Sequence, residues 1–112
     1  MEWATTQNNL GLARRWLGDL TDDLGQLDAA QRAYDLCLTE RSRHAVPFLW
    51  AVTQWNLADL ALVRHRLSPQ PAQMETARAH LLAARENFAD GSEHQTARCD
   101  ELIAKVEASE KG

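Results

Sequence analysis

The chain has 112 residues, enough for one domain around one modest core. Its net charge is −4, with 16 acidic and 12 basic residues interspersed, so the basic stripe of a nucleic-acid binder is missing. Ala and Leu supply 34 residues and Val and Ile only five, a balance that favours helices over strands. No run of about 18 apolar residues marks a membrane span. Met1-Glu2-Trp3-Ala4 lacks the basic start and apolar stretch of a signal peptide, so a cytoplasmic location is expected.

From the N-terminus, Trp3, Leu10, Ala13 and Leu17 recur every three or four residues and predict a helix over 3–18, with Trp3 in the inter-helix core. Gly18 and Gly25 bracket Asp19-Leu20-Thr21-Asp22-Asp23-Leu24, a connector with Thr and Asp available to cap the next helix. A second helix over 23–43 carries Leu27, Ala30, Tyr34, Cys37 and Leu38, and His44-Ala45-Val46-Pro47 ends that unit. A third over 47–66 carries Trp50, Leu57, Leu60 and Ala61. Ser68-Pro69-Gln70-Pro71 leads into a fourth over 71–89, since proline is tolerated in a helix's first turn. Its stripe is Met74, Ala77, Leu81 and Ala84. Asp90-Gly91-Ser92 closes it, and Ser92 with Gln95 has the form of a capping box. The last helix, over 92–108, sets Ala97, Cys99, Leu102, Ile103 and Val106 on one stripe among Arg98, Glu101, Lys105 and Glu107. That pattern suits a terminal helix that covers the last apolar face of an array; no matching cap is expected before Trp3.

The chain repeats itself at an offset of 47 residues. Trp3-Ala4-Thr5-Thr6-Gln7-Asn8-Asn9-Leu10 and Trp50-Ala51-Val52-Thr53-Gln54-Trp55-Asn56-Leu57 agree at six of eight positions. The same offset, without a gap, brings Leu27, Ala30, Tyr34 and Cys37 onto Met74, Ala77, Leu81 and Ala84. Self-similarity of this kind marks stacked supersecondary units. One domain over 1–112 is expected, with repeat 1 at about 3–46, repeat 2 at about 47–90 and a capping helix at about 92–108.

Leu10-Gly11, Gly18 and Ala30-x-x-x-Tyr34 in the first unit, with Leu57-Ala58 and Ala77-x-x-x-Leu81 in the second, resemble the tetratricopeptide repeat family. Gly11, Ala58, Ala30 and Ala77 are small where two helix backbones must approach. The family's period is about 34 residues, and the longer period here looks like a bacterial subgroup with Trp-Ala-x-Thr-Gln-x-Asn-Leu helices. The resemblance implies an all-α superhelix of two helical hairpins plus the capping helix, with first helices lining a concave groove that holds a peptide or protein partner. Carried over position by position, that groove would present Thr5, Asn8, Leu12, Arg15 and Trp16 on the first helix. On the third it would present Val52, Trp55, Asp59, Leu62 and Val63. A full clamp for a C-terminal carboxylate is absent, because Trp55, Asp59 and Leu62 stand where such clamps carry Lys, Asn or Arg.

Trp16 and Trp55 lie off the core stripes and belong to the residue type enriched in interface hot spots. The expected function is a scaffold or adaptor that binds a protein through Asn8, Leu12, Arg15, Trp16, Trp55, Asp59 and Leu62. The alternatives are a self-associating subunit or a fragment of a longer array; a helical-bundle enzyme or ligand carrier is the third. Thr6-Gln7, Thr53-Gln54, Asn9 and Asn56 read as structural, bonding backbone between stacked helices. Cys37 and Cys99 read as small buried hydrophobes. His44, His65, His80 and His94 lack metal-ligand spacing. No catalytic residue, metal or cofactor is expected, nor a nucleic-acid or membrane partner.

Overall fold

A computed structural model describes residues 2–88 and 93–111, with side chains over 3–88 and 95–108. Its helices are α1 (Glu2–Thr21), α2 (Leu24–Glu40), α3 (Pro47–Leu67), α4 (Pro71–Phe88) and α5 (Glu93–Lys111). Among the described residues there is no strand, so the chain is all-α. None of these helices is long and apolar enough to cross a membrane. The expected Asp90-Gly91-Ser92 turn and the Ser92–Gln95 capping box lie outside the described residues.

The ends of α1 and α2 differ from the sequence reading for local reasons, and α5 runs to Lys111 rather than to 108. α1 does not stop at Gly18 but runs to Thr21. Asp22 then takes the left-handed conformation (φ 53°), and the Asp23 N–H returns to the Gly18 carbonyl at 3.0 Å, the six-to-one closure of a helix C-terminus. Asp23 next caps α2, its Oδ1 accepting from the Gly25 N–H at 2.8 Å. Two residues therefore turn the chain, and Gly18 serves packing: a Cβ there would lie 2.7 Å from Leu27 Cδ2.

α2 ends at Glu40, before the expected 43, because Arg41 turns inward. The buried Arg41 guanidinium donates to Thr53 Oγ1 (3.0 Å), Thr5 Oγ1 (3.3 Å) and the Leu49 carbonyl (3.4 Å), fastening the end of α2 to α1 and α3.

α3 is the central helix. On one side it meets α2: Leu57, Leu60 and Val63 pack with Leu27, Ala30 and Tyr34. The two run antiparallel, since Arg64 pairs with Asp28 while Thr53 lies against Cys37 and Leu49 near Arg41. On the other side Ala58 and Ala61 join Met74, Ala77 and Leu81 of α4 and Val106 of α5. Ala51, Ala84, Phe88 and Cys99 complete that side. The repeat-related sets Leu27, Ala30, Tyr34, Cys37 and Met74, Ala77, Leu81, Ala84 are all buried.

The first helix departs from its expected orientation. Trp3, Leu10, Ala13 and Leu17 are exposed, and Trp3 is not in the core. The buried face is Ala4, Asn8, Gly11 and Gly18 instead. α2 packs on the glycine side because only there does the α1 backbone admit its bulk: a Cβ on Gly11 would sit 2.5–2.9 Å from three carbons of the Tyr34 ring. Trp50, the repeat mate of Trp3, is half-buried against the Ala51–Phe88 cluster, with the Arg43 guanidinium 5.5 Å from its ring centroid.

In the second repeat Gly11 becomes Ala58 and Tyr34 becomes Leu81, so a methyl gained on one helix accompanies a smaller side chain on the other. In an exposed helix Gly→Ala gains about 1 kcal/mol; here overpacking reverses the sign, and Gly11→Ala is expected to cost about 1–3 kcal/mol. Adding Tyr34→Leu to Gly11→Ala is expected to recover part of that loss, whereas Tyr34→Leu alone opens a void. Urea unfolding of the two single variants and the double variant measures the coupling.

Candidate partner-binding face

Of the residues singled out on the first and third helices, Asn8 and Arg15 of α1 and Asp59 of α3 lie along one seam. α1 and α3 lie side by side, and a seam of polar contacts joins them. Asn56 Nδ2 donates to Asn8 Oδ1 at 2.9 Å, both residues buried. Further along both helices, Arg15 Nε lies 3.3 Å from Asp59 Oδ2. At the end of the seam Arg66 of α3 holds Asp19 (2.6 Å) and Asp22 (3.2 Å) at the α1–α2 turn. The repeat makes the central pair possible: Leu12 and Arg15 in α1 correspond to Asp59 and Leu62 in α3, so charge and apolar group change places and opposite charges meet across the seam.

Burial sets the electrostatics here. The Asp59 carboxyl is pushed above its ordinary range by loss of solvent, with Arg15 pulling the other way. The Tyr34 hydroxyl, buried beside this pair, is likewise raised, and Arg15 again opposes the shift. The Cys99 thiol is pushed up to about 11 by burial, which keeps it protonated and unreactive at neutral pH. The shifts of Tyr34 and Cys99 keep those two groups neutral inside a packed core.

Of the expected contact residues, Asn8, Arg15 and Asp59 thus spend their polar groups within the chain. Leu12 and Leu62 are half-buried, Leu62 packing against the α3–α4 cluster. Trp16 is 63% exposed. Trp55, expected to stand clear of the core, is half-buried instead: it packs against both clusters on the α4 side of α3, and Arg98 of α5 lies 5.1 Å from its ring centroid. Together with Val52, Phe88, Gln95 and Arg98 it borders a hollow of about 170 Å³. Small-molecule sites run roughly 300–1,000 Å³, so this hollow suits one inserted side chain better than a whole ligand. Val63, placed in the groove by the resemblance, is buried against α2.

Of the repeated polar residues, Thr53, Gln54 and Asn56 of α3 are buried and bonded, chiefly to other side chains. Gln54 is buried, and its Oε1 accepts from His80 Nδ1 at 2.6 Å, which assigns the ring proton to Nδ1. Thr53 takes the Arg41 bond and donates to the Leu49 carbonyl at 3.3 Å. Asn9, the mate of Asn56, is exposed. The reading of the sequence missed Arg41 and His80, because neither recurs at the 47-residue offset and their partners come from other helices. No group of three His, Cys, Asp or Glu residues is placed to hold a metal among the described residues. Comparison with known proteins finds no matching family model, curated protein or solved structure.

His80 gives the fold a pH dependence of defined sign. Burial lowers its pKa below the ordinary 6.5, with Asp35 opposing the shift. As pH falls the unfolded chain therefore takes up the proton first. The contribution to stability is complete above 6.5 and is lost as the solution is acidified below it. Asp59 acts in the opposite sense, nearer the carboxylate range. His80→Gln is expected to flatten the fall in thermal midpoint between about pH 7 and 5, checked by circular dichroism melts of both proteins across that window.

Proposed function

We propose that this chain is a protein-interaction module, a tetratricopeptide-like stack of two hairpins and a covering helix that holds a segment of another protein across the α1–α3 face. One observation carries the reading: at the centre of this face Arg15 is ion-paired with Asp59 and Asn56 bonds Asn8, while Leu12, Trp16, Trp55 and Leu62 around them stay half-buried or exposed, and Arg15 Nε and Trp55 Nε1 make no hydrogen bond among the described residues. The paired polar groups lose little when water is displaced, and the apolar groups beside them gain from being covered. The equal burial of Leu27, Ala30, Tyr34 and Cys37 and of their mates 47 residues later supports the stacked-hairpin description.

The chemistry favours an extended or helical segment with one large apolar side chain for the hollow beside Trp55. The Arg15–Asp59 pair serves the partner as a rigid floor rather than as a free cation and anion. Face and hollow are small, which fits binding in the micromolar range rather than tighter.

Selection from a displayed library of random peptides, run in parallel on the wild type and on Trp55→Ala and Leu62→Ala, tests this function. Peptides with a shared apolar anchor are expected, with binding at least about tenfold weaker to Trp55→Ala than to wild type, the cost of losing an interface anchor. Circular dichroism of each variant confirms that the helices are kept. Enrichment of peptides that bind wild type and both variants equally would place the site elsewhere.

A further inference from the structure

The outer face of α1 exposes several large apolar residues, and their spacing is regular. Trp3, Thr6, Leu10, Ala13, Leu17 and Leu20 alternate by three and four residues, the a and d positions of three successive heptads. Trp3, Leu10, Leu17 and Leu20 are between 42% and 69% exposed. Seen through the 47-residue offset, the same stripe on α3 is Trp50, Thr53, Leu57, Leu60, Arg64 and Leu67, and there it is covered: Leu57 and Leu60 are 4% and 1% exposed. What covers it is an antiparallel helix, α2. α1 thus carries a helix-docking stripe with no helix on it among the described residues.

We propose that this stripe pairs with its own counterpart on a second copy of the chain, α1 lying antiparallel to α1 about a two-fold axis between Leu10 and Ala13. A two-fold axis perpendicular to the helices makes them antiparallel, the same sense in which α2 lies on α3. The residues then fall opposite one another as Leu10 with Ala13, Thr6 with Leu17 and Trp3 with Leu20, large against small in the two central layers.

The differences between α1 and α3 favour this occupant over a helix like α2. Where α3 has Leu60, α1 has the smaller Ala13, which makes room for an incoming Leu10. Where α3 has Arg64, paired with Asp28 of α2, α1 has Leu17, against which an aspartate would be buried without a partner. The stripe carries no formal charge although the chain is acidic overall. Arg14, on its flank, faces Gln7 of the other copy rather than another cation.

The 20 residues of α1 span ~30 Å, so the pair covers on the order of 1,000 Å² in total, the lower bound for a specific interface. The Trp55 and Leu62 part of the partner-binding face lies on α3 away from the stripe, whereas Trp16 flanks it on α1.

Sedimentation equilibrium of the full chain from about 1 to 200 μM tests the pairing. Wild type is expected to pass from monomer to dimer across that range. Leu10→Glu places a carboxylate against the opposing Ala13 and is expected to weaken dimerisation at least 100-fold; Leu36→Glu, an exposed leucine on α2, is expected to leave it unchanged. Because Leu10 is already exposed in the single chain, Leu10→Glu keeps its helices, which circular dichroism verifies. Mixing Leu10→Cys with Ala13→Cys protein under mild oxidation is expected to link unlike copies, with little linkage in either alone. A wild type that stays monomeric throughout, a Leu10→Glu protein that still dimerises, dissociation by Leu36→Glu, or self-linkage of Leu10→Cys would each overturn the proposal.

Discussion

The structure depends on α3 being buried along two opposite sides at once. A helix that is apolar around most of its circumference has to lie inside its domain, and α3 turns Leu57, Leu60 and Val63 to α2 and Ala51, Ala58 and Ala61 towards α4 and α5. Burial on that scale also encloses polar residues of α3, and each must find a partner. Thr53 is matched by Arg41, Gln54 by His80 and Asn56 by Asn8. The apolar contacts supply most of the stabilisation and tolerate small slips. The polar contacts do not, since a displacement of one residue would leave buried donors and acceptors orphaned, each costing about 1–3 kcal/mol. One such bond comes from α1, one from the end of α2 and one from α4, so the register of all three neighbours is set against the same helix.

Much of this architecture was legible in the sequence because the local signals agree with the tertiary arrangement. Pro47 and Pro71 open helices where proline is harmless, and Asp23 caps α2. The repeated Leu/Met–Ala–Tyr/Leu–Cys/Ala positions are buried in both copies. The orientation of α1 was not legible, and the reason is physical. Periodicity reveals that a helix has an apolar stripe but not which neighbour covers it. The repeat carried the environment of α3 over to α1, yet α3 is enclosed on two sides, whereas among the described residues α1 packs closely on α2 along Gly11 and Gly18 and meets α3 in a narrower polar seam. A stripe of glycine, alanine and asparagine scores poorly as a buried face by hydrophobicity, although close backbone approach makes it one.

The candidate face shows the same division. Carrying family positions onto the chain brought Asn8, Arg15, Asp59 and Trp55 to one side of the molecule. It could not show that the first three are held by in-chain partners, because those bonds cross between elements whose relative height no single helix encodes. Trp55 is the instructive case. Its repeat mate is the buried Asn8, and the tryptophan takes a half-buried position because α5 and Arg98 lie over that part of α3. A residue's exposure in one repeat is therefore no guide to its mate's when the flanking elements differ.

The two hairpins also differ inside, in a way that couples local packing to the face. Gly11 against Tyr34 and Ala58 beside Leu81 solve the same contact with different distributions of volume. The first solution brings the Tyr34 hydroxyl into the core next to Arg15 and Asp59, where both tyrosine and carboxylate are pushed towards their neutral forms by burial. A leucine at position 34 would leave that polar corner unaccompanied, and a methyl at position 11 would force the ring away from it. The spacing of α1 and α2, fixed by the missing Cβ of one glycine, thus also determines whether Arg15 reaches Asp59 across the seam. Stability of the first hairpin and the shape of the α1–α3 face are consequences of the same close approach, and neither can be altered without the other.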